Sequence, residues 1–219
     1  MRNPTTKLRD VAYGQFTERL LAQEIMPGQF ISQRELVELT SLPLGAIREL
    51  IPRLEAEGLI TTVPQRGMQV AHIDLNLIRN AYQFRQFLET QATALYAANR
   101  SDAEVARLRT QHEAIIRRAE AGERESLLDE AECTDRNLHE TVIDALDNDI
   151  ISKAFRVTWI KIRLIRQQAT RLYSDIIIPV MRDHLRIIDA IERRDPEAAV
   201  AEMAKHISDS RIRAVNMQV

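Results

Sequence analysis

The fold of the N-terminal part is decided by residues 32–72, which read SQRELVELTSLPLGAIRELIPRLEAEGLITTVPQRGMQVAH. The stretch opens on a capping box, in which the Ser32 hydroxyl and the Glu35 carboxylate can each satisfy a free backbone amide at a helix start. A turn at residues 40–43 ends this short helix, and a further apolar-periodic helix follows and ends at Gly58. The pattern predicts two consecutive short helices separated by a tight turn.

The flanking residues extend this pattern in both directions. Downstream, residues 59–63 and 68–72 have strand character and enclose the turn at 64–67, which predicts a β-hairpin. Upstream, an apolar helical stripe over residues 11–21 stops before a Pro-Gly turn. Pro52 is expected to kink the third helix. Three short helices followed by a two-stranded hairpin are typical of a winged helix-turn-helix.

Several motifs in this part occur in the order and spacing of a known family. They are residues 24–36, 47–49, 53–60 and 64–70. On these motifs, most of residues 8–72 resembles the GntR-type winged-helix domain. The resemblance implies that the third helix enters the major groove of DNA and that the hairpin tip touches the neighbouring minor groove.

The resemblance also implies which residues touch DNA. The positions of Arg34 and Arg48 correspond to family arginines that contact DNA, and Gly67 corresponds to the glycine that lets the wing approach closely. Leu44 stands where the family usually has an arginine, and a leucine can meet a thymine methyl group but cannot hydrogen-bond a base edge. Affinity is therefore expected to depend on Arg34, Arg48, Arg66 and backbone amides, and the operator sequence cannot be carried over.

From residue 74 onward the apolar period is helical throughout. Six segments are predicted, near 75–99, 101–121, 124–146, 149–173, 178–194 and 196–217. Ser101 begins a second capping box, Ser174 and Pro179 mark a break, and Asp195 precedes a proline at a helix start. The sequence thus predicts a mainly α protein, with a winged helix-turn-helix at 1–73 and a six-helix antiparallel bundle at 74–219.

Four polar residues interrupt the apolar stripes of three of these helices. Asp135 and His139 are one turn apart on one face, and His184 and His206 occupy apolar stripes of the last two helices. Buried polar groups must satisfy one another, and a divalent metal held by one Asp and three His would do so. The alternative is that each histidine is a hydrogen-bonded core residue.

A second resemblance to a known family supports the prediction of a metal site. Residues 135–139, 183–191 and 195–206 are similar to the metal-binding effector domain of FadR-type GntR regulators, and six helices resemble its VanR-like branch. This likeness implies Asp135, His139, His184 and His206 as ligands of zinc, or of nickel, manganese or iron. His72 and His112 are expected at the surface or the domain junction.

The same resemblance suggests an organic-acid effector. Arg85 lies in a motif of the first helix of this domain and could hold a carboxylate beside the metal, while a salt bridge with Glu89 is the alternative. Asn148, Arg163 and Arg166 are weaker candidates for the same site.

Composition limits the classes of protein to which the chain can belong. The 219 residues carry a formal net charge of −2, so DNA contact must come from a local patch rather than from a basic domain. One cysteine excludes an internal disulfide framework, and no apolar run suits a membrane span or a signal peptide. We expect a soluble cytoplasmic protein.

Together these features predict a ligand-responsive transcriptional regulator, a repressor rather than an enzyme. Its partners would be double-stranded DNA with a palindromic operator, a small organic acid and a second copy in a homodimer. The alternatives are a metal-dependent enzyme, a DNA-binding regulator with a purely structural metal, and a helical scaffold that binds partner proteins.

Overall fold

A computed structural model describes residues 4–123, 125–167 and 170–216. The chain divides into two compact units. One contains the residues up to Leu77 together with Trp159–Gln167, and the other contains Ile78–Thr158 and the residues from 168 onward.

The first unit has the expected winged helix-turn-helix. Its elements are α1 (Pro4–Leu21), β1 (Phe30–Ile31), α2 (Gln33–Thr40), α3 (Leu44–Ala56), β2 (Ile60–Val63) and β3 (Gly67–Val70). The two predicted wing strands pair antiparallel, with Thr62 opposite Met68. The unpredicted β1 pairs with the other edge of β3 and makes a three-stranded sheet in the order β1-β3-β2.

Local sequence signals explain the helices of this unit. The capping box at Ser32 is present, since its hydroxyl accepts from the Glu35 amide while the Glu35 carboxylate accepts from the Ser32 amide. Pro52 lies inside α3, which the structure describes as one continuous helix over Leu44–Ala56. Buried apolar residues of α1, α2, α3 and the sheet form one core, which also includes Leu164.

The second unit is helical. Its helices include α4 (Leu75–Asn99), α5 (Asp102–Glu120), α6 (Leu128–Asp144), α7 (Asp149–Gln167), α8 (Thr170–Glu192) and α9 (Pro196–Asn216), and a short 3-10 helix (Glu125–Leu127) precedes α6. The first residues of α4 and the last nine of α7 belong to the first unit. Within the helical unit, α8 packs against α5, α6 and α9.

Two predicted helix signals are wrong. Within the described residues the Ser101 hydroxyl caps no amide, and Glu104 instead accepts a hydrogen bond from the Tyr96 hydroxyl at 2.7 Å. Ser174 and Pro179 do not mark a break, because α8 (Thr170–Glu192) runs through both positions.

The Asp195 signal is confirmed. Its carboxylate accepts from the Ala198 amide at 3.0 Å at the start of α9. Across the described residues, no helix has the length and apolar character that crossing a membrane requires.

Candidate metal centre and nucleic-acid interface

The helical unit brings together the four side chains that interrupt its apolar stripes. Asp135 and His139 come from α6, His184 from α8 and His206 from α9, and all four are buried. One donor atom of each lies within 4.8 Å of those of the other three. The one-turn spacing on α6 places both of its donors on the side of the cluster, as the sequence pattern required.

The distances and the chemistry of the donors fit one divalent cation. His184 Nε2 lies 3.3 Å from His206 Nε2 and 3.4 Å from Asp135 Oδ1, and His139 Nε2 lies 3.9 Å from the same oxygen. Ligands bonded at about 2.0–2.2 Å to one ion stand roughly 3–4 Å from one another. Imidazole and carboxylate together suit zinc and also nickel, manganese or iron.

Two residues of α4 contact His139. Glu89 accepts from His139 Nδ1 at 2.5 Å and from Arg85 Nε at 2.5 Å, one turn away on α4. Burial raises the pKa of the Glu89 carboxyl, but the charges of Arg85 and His139 outweigh it and lower this pKa to about 2. Glu89 is therefore a carboxylate that orients His139.

Arg85 makes the predicted ion pair with Glu89 and also lies at the cluster. Its side chain is fully buried, and its Nη2 lies 3.1 Å from His139 Nε2, the ring nitrogen that faces Asp135. The sequence left two roles open for Arg85, and the ion pair with Glu89 is the one that the structure contains. Its role towards an effector stays a prediction.

His112 is not at the surface, so the expectation for it is wrong. It is buried on α5, and its Nε2 lies 3.0 Å from His184 Nδ1. The charged neighbours of His112 in the sequence suggested exposure. Its spacing instead continues a buried stripe of α5, formed by Val105, Leu108, Ile115 and Ala119.

His206 has an acidic neighbour on its outer side. Its Nδ1 lies 3.8 Å from Asp183 Oδ2, too far for a direct hydrogen bond. Burial lowers the pKa of His206 from 6.5 to about 4, and the charge of His139 acts in the same direction. The imidazole is thus neutral at pH 7, the form in which histidine binds metals.

The weaker effector candidates lie on α7 or directly before it. Asn148 is exposed, and its side-chain oxygen accepts from the Ile150 and Ile151 amides at the start of α7. Arg163 and Arg166 belong to the part of α7 that is grouped with the first unit, and Arg166 lies over the Trp159 ring. A role of these three residues in effector binding stays a prediction.

The side chains expected at DNA lie on the outside of the first unit. Arg34 is 88% exposed on α2 and pairs with Glu38 at 3.0 Å. Arg48 is exposed in α3, and Leu44, the first residue of that helix, is 40% exposed. Both residues of α3 are therefore available to a groove of DNA.

The wing carries the remaining two candidates. The Arg66 guanidinium stacks over the Phe30 ring, 4.3 Å from its centroid, which holds the side chain at the wing. Gly67 has φ +90°, and a Cβ there would lie 3.0 Å from the Ile31 carbonyl oxygen. A glycine at this position is thus required by the sheet itself, whatever contact the wing makes.

Comparison with protein-family models gives two matches. Residues 80–209 match the FCD domain, and residues 8–70 match the model described as bacterial regulatory proteins, gntR family. The first of these covers more than half of the chain.

Individual proteins agree with these matches. The chain is 27% identical over 184 residues to the Nta operon transcriptional regulator of Aminobacter aminovorans, covering 83% of this chain and 82% of that protein. It is 26% identical over 214 residues to the HTH-type transcriptional repressor RspR of Escherichia coli, covering 94% and 89%. Among solved structures, E. coli McbR/YncC is similar over 100% of both chains with a TM-score of 0.77, at 15% identity.

Proposed function

The chain belongs to the gntR family of bacterial regulatory proteins and carries an FCD domain, and from its buried Asp/His cluster we propose that it is a metal-containing repressor controlled by a small organic acid. That it is a DNA-binding transcriptional regulator, and not an enzyme, follows from the family. In the proposal, residues 1–73 form the DNA-binding domain and residues 74–219 the sensing domain of a cytoplasmic homodimer.

The cluster of Asp135, His139, His184 and His206 is the observation that carries the proposal. Four buried donors from three helices meet within 4.8 Å, and each of the three imidazoles directs Nε2 inward. A divalent cation would be held by these four groups and would supply a Lewis-acid centre with positions for further ligands. Zinc is the first candidate, and nickel, manganese or iron suit the same donors.

The effector is proposed to be an anion because of Arg85. Its guanidinium lies beside the donor atom of His139, so a carboxylate at the cluster would meet both the cation and a buried positive charge. Glu89 already accepts hydrogen bonds from Nε and Nη2 of the Arg85 guanidinium. This ion pair favours a second candidate function, a regulator whose metal is purely structural.

DNA recognition is proposed to use the helices α2 and α3 and the wing of the first unit. Arg34 and Arg48 would contact phosphates or guanine edges, and Arg66 and the backbone at Gly67 would contact the neighbouring groove. A two-fold homodimer would then read a palindromic operator with half-sites about one helical turn apart or a multiple of it. RspR, similar over most of the chain, is named a repressor.

Operator binding with and without candidate effectors tests the proposal. The protein would select its own duplex from a random-sequence pool, and fluorescence anisotropy would then measure affinity in the presence of zinc and a panel of mono-, di- and hydroxycarboxylates. We expect at least one acid to weaken binding by roughly 5–150-fold, the usual range of allosteric coupling. The double variant His184→Ala, His206→Ala should bind DNA and lose this response.

The other outcomes are equally informative. An unchanged affinity with every acid, in a protein that retains metal, supports the structural-metal alternative and contradicts the sensor. Failure to retain any duplex at low salt, where phosphate contacts are strongest, contradicts DNA recognition by the first unit.

A further inference from the structure

The three histidines of the cluster share an orientation that the sequence does not reveal. Each turns Nε2 towards the shared centre and Nδ1 towards a residue behind it. The residue behind His139 is Glu89, at 2.5 Å, and the residue behind His206 is Asp183, at 3.8 Å. Behind His184 stands His112, an imidazole in a position where the other two have carboxylates.

The proton positions along the His112–His184 pair follow from one carbonyl. His112 Nδ1 lies 2.7 Å from the Leu108 carbonyl oxygen, which can only accept. Nδ1 of His112 therefore carries the proton, and Nε2 of a neutral His112 has a lone pair. The ring is fully buried, an environment that favours an uncharged imidazole.

The same reasoning extends to His184. Its Nδ1 lies 3.0 Å from His112 Nε2. Because Nε2 of a neutral His112 can only accept, a hydrogen bond between the two atoms requires that His184 Nδ1 donates. A neutral imidazole with its proton on Nδ1 has its lone pair on Nε2. That atom is the one that faces Asp135 and His206.

We propose that His112 is a positioning residue for the metal centre, which fixes the tautomer and the ring orientation of His184 so that Nε2 can bind the cation. The inference rests on the proposed metal site and adds a residue that does not itself touch the cation. The backbone of α5 is the origin of the arrangement, because the Leu108 carbonyl sets the first proton. The two rings meet edge to face, with centroids 5.1 Å apart, so their relative orientation is also held by packing.

Two variants separate positioning from packing. His112→Phe keeps an aromatic ring in the pocket and removes the acceptor, whereas His112→Gln keeps an acceptor near the position of Nε2. Loss of a hydrogen-bond partner behind a metal-binding histidine typically weakens metal affinity by about 10–100-fold. We expect this loss for His112→Phe, measured with zinc against a competing chelator, and recovery to within about threefold of wild type for His112→Gln.

A matched control and a second readout complete the experiment. Tyr96→Phe removes another buried hydrogen-bonding group of the helical unit, the one that donates to Glu104, and should leave zinc affinity unchanged. Long-range ¹H–¹⁵N NMR of the metal-free wild-type protein should show His184 protonated on Nδ1 and not on Nε2. In His112→Phe the Nε2–H form should appear.

Each result has one consequence. A wild-type His184 protonated on Nε2 in the metal-free protein overturns the proposal even if neither variant folds. Equal zinc affinity of wild type and His112→Phe overturns it while leaving the metal site intact. A wild-type protein that binds neither zinc nor cobalt contradicts the proposed function and, with it, any role of His112 in ligation.

Discussion

Adding a metal to the metal-free protein should raise its thermal midpoint by an amount that the structure lets us calculate. The four donors are assembled only in the folded chain, so a cation held by them would bind the native state in preference to the unfolded one. At a free concentration of 100 times Kd this linkage adds about 2.7 kcal/mol to the free energy of unfolding. The stabilisation does not depend on which of the four candidate metals is used, only on the ratio of concentration to Kd.

The size of the unfolding unit converts this energy into temperature. Unfolding entropy near 60 °C is about 2.1 cal/mol/K per residue. If all 219 residues unfold together, 2.7 kcal/mol raises the midpoint by about 6 °C. If the helical unit, roughly 130 residues, unfolds by itself, the shift is about 10 °C.

Calorimetry of the chelator-treated protein, with and without zinc, measures this shift. His184→Ala should abolish it, and Asp135→Asn should reduce it because an amide is a poorer ligand than a carboxylate. His72→Ala is the matched control, since His72 is exposed and lies outside the cluster. The shift on adding metal is the quantity compared, because His184→Ala also removes the bond to His112 and lowers the stability of the metal-free protein.

Two results would refute the reasoning. One is a midpoint that does not move with zinc, nickel, manganese or iron at millimolar concentration. The other is a shift of the same size in His184→Ala as in the wild type, since a cation that needs no buried imidazole must bind elsewhere.

Three further predictions concern other parts of the chain. The pKa of His206 is about 4 when folded and 6.5 when unfolded, so between pH 6.5 and 4 only the unfolded chain takes up this proton. The free energy of unfolding of the metal-free protein should therefore fall as the pH is lowered through that range, and His206 contributes at most about 3 kcal/mol to this fall. Urea titration at several pH values should show a smaller fall for His206→Asn than for the wild type. Leu44→Arg should leave stability unchanged and steepen the dependence of log Kd for DNA on log salt by about 0.9, whereas Leu44→Gln should not. Gly67→Ala should lower the free energy of unfolding, measured with denaturant, by about 1–2 kcal/mol, because its φ is +90° and its Cβ would press on the Ile31 carbonyl. The control is Gly45→Ala, which lies in open space on a helix and should raise the free energy of unfolding by up to about 1 kcal/mol.

The sequence could predict the fold because its signals are local. Ser32 and Glu35 make a capping box within four residues, and Asp195 caps α9 three residues ahead of its partner amide. The failures have local causes too. β1 is two residues long, too short for a periodic pattern, and Pro179 predicts a break in a helix that runs through it.

The Asp/His cluster was predictable only as a set of candidate residues. The one-turn spacing of Asp135 and His139 places both on one face of α6. The spacing of residues along the chain does not show that α8 and α9 pack against that face. Glu89 and His112 were not identified as neighbours of the cluster for the same reason, since each reaches it from another helix. For His112 a signal existed in the apolar stripe of α5 that its position continues.

The Arg85–Glu89 pair limits how an acid could act at this site. Glu89 holds both Arg85 and His139, so an acid that displaced Glu89 from Arg85 would leave a buried carboxylate with one partner fewer. Breaking a buried pair typically costs about 3–5 kcal/mol. An effector therefore gains more by binding the cation directly and sharing Arg85 Nη2, which already lies 3.1 Å from His139 Nε2, than by replacing Glu89.

Binding through the cation has a thermodynamic consequence that binding through Arg85 alone lacks. If the acid is a ligand of the metal, metal and acid each raise the affinity of the protein for the other by the same factor. An acid held by Arg85 and the helices alone would bind the metal-free protein as well as the metal-loaded one. The proposed sensor thus needs its metal for recognition, so that removing the cation removes the response to the acid even where the folded structure survives.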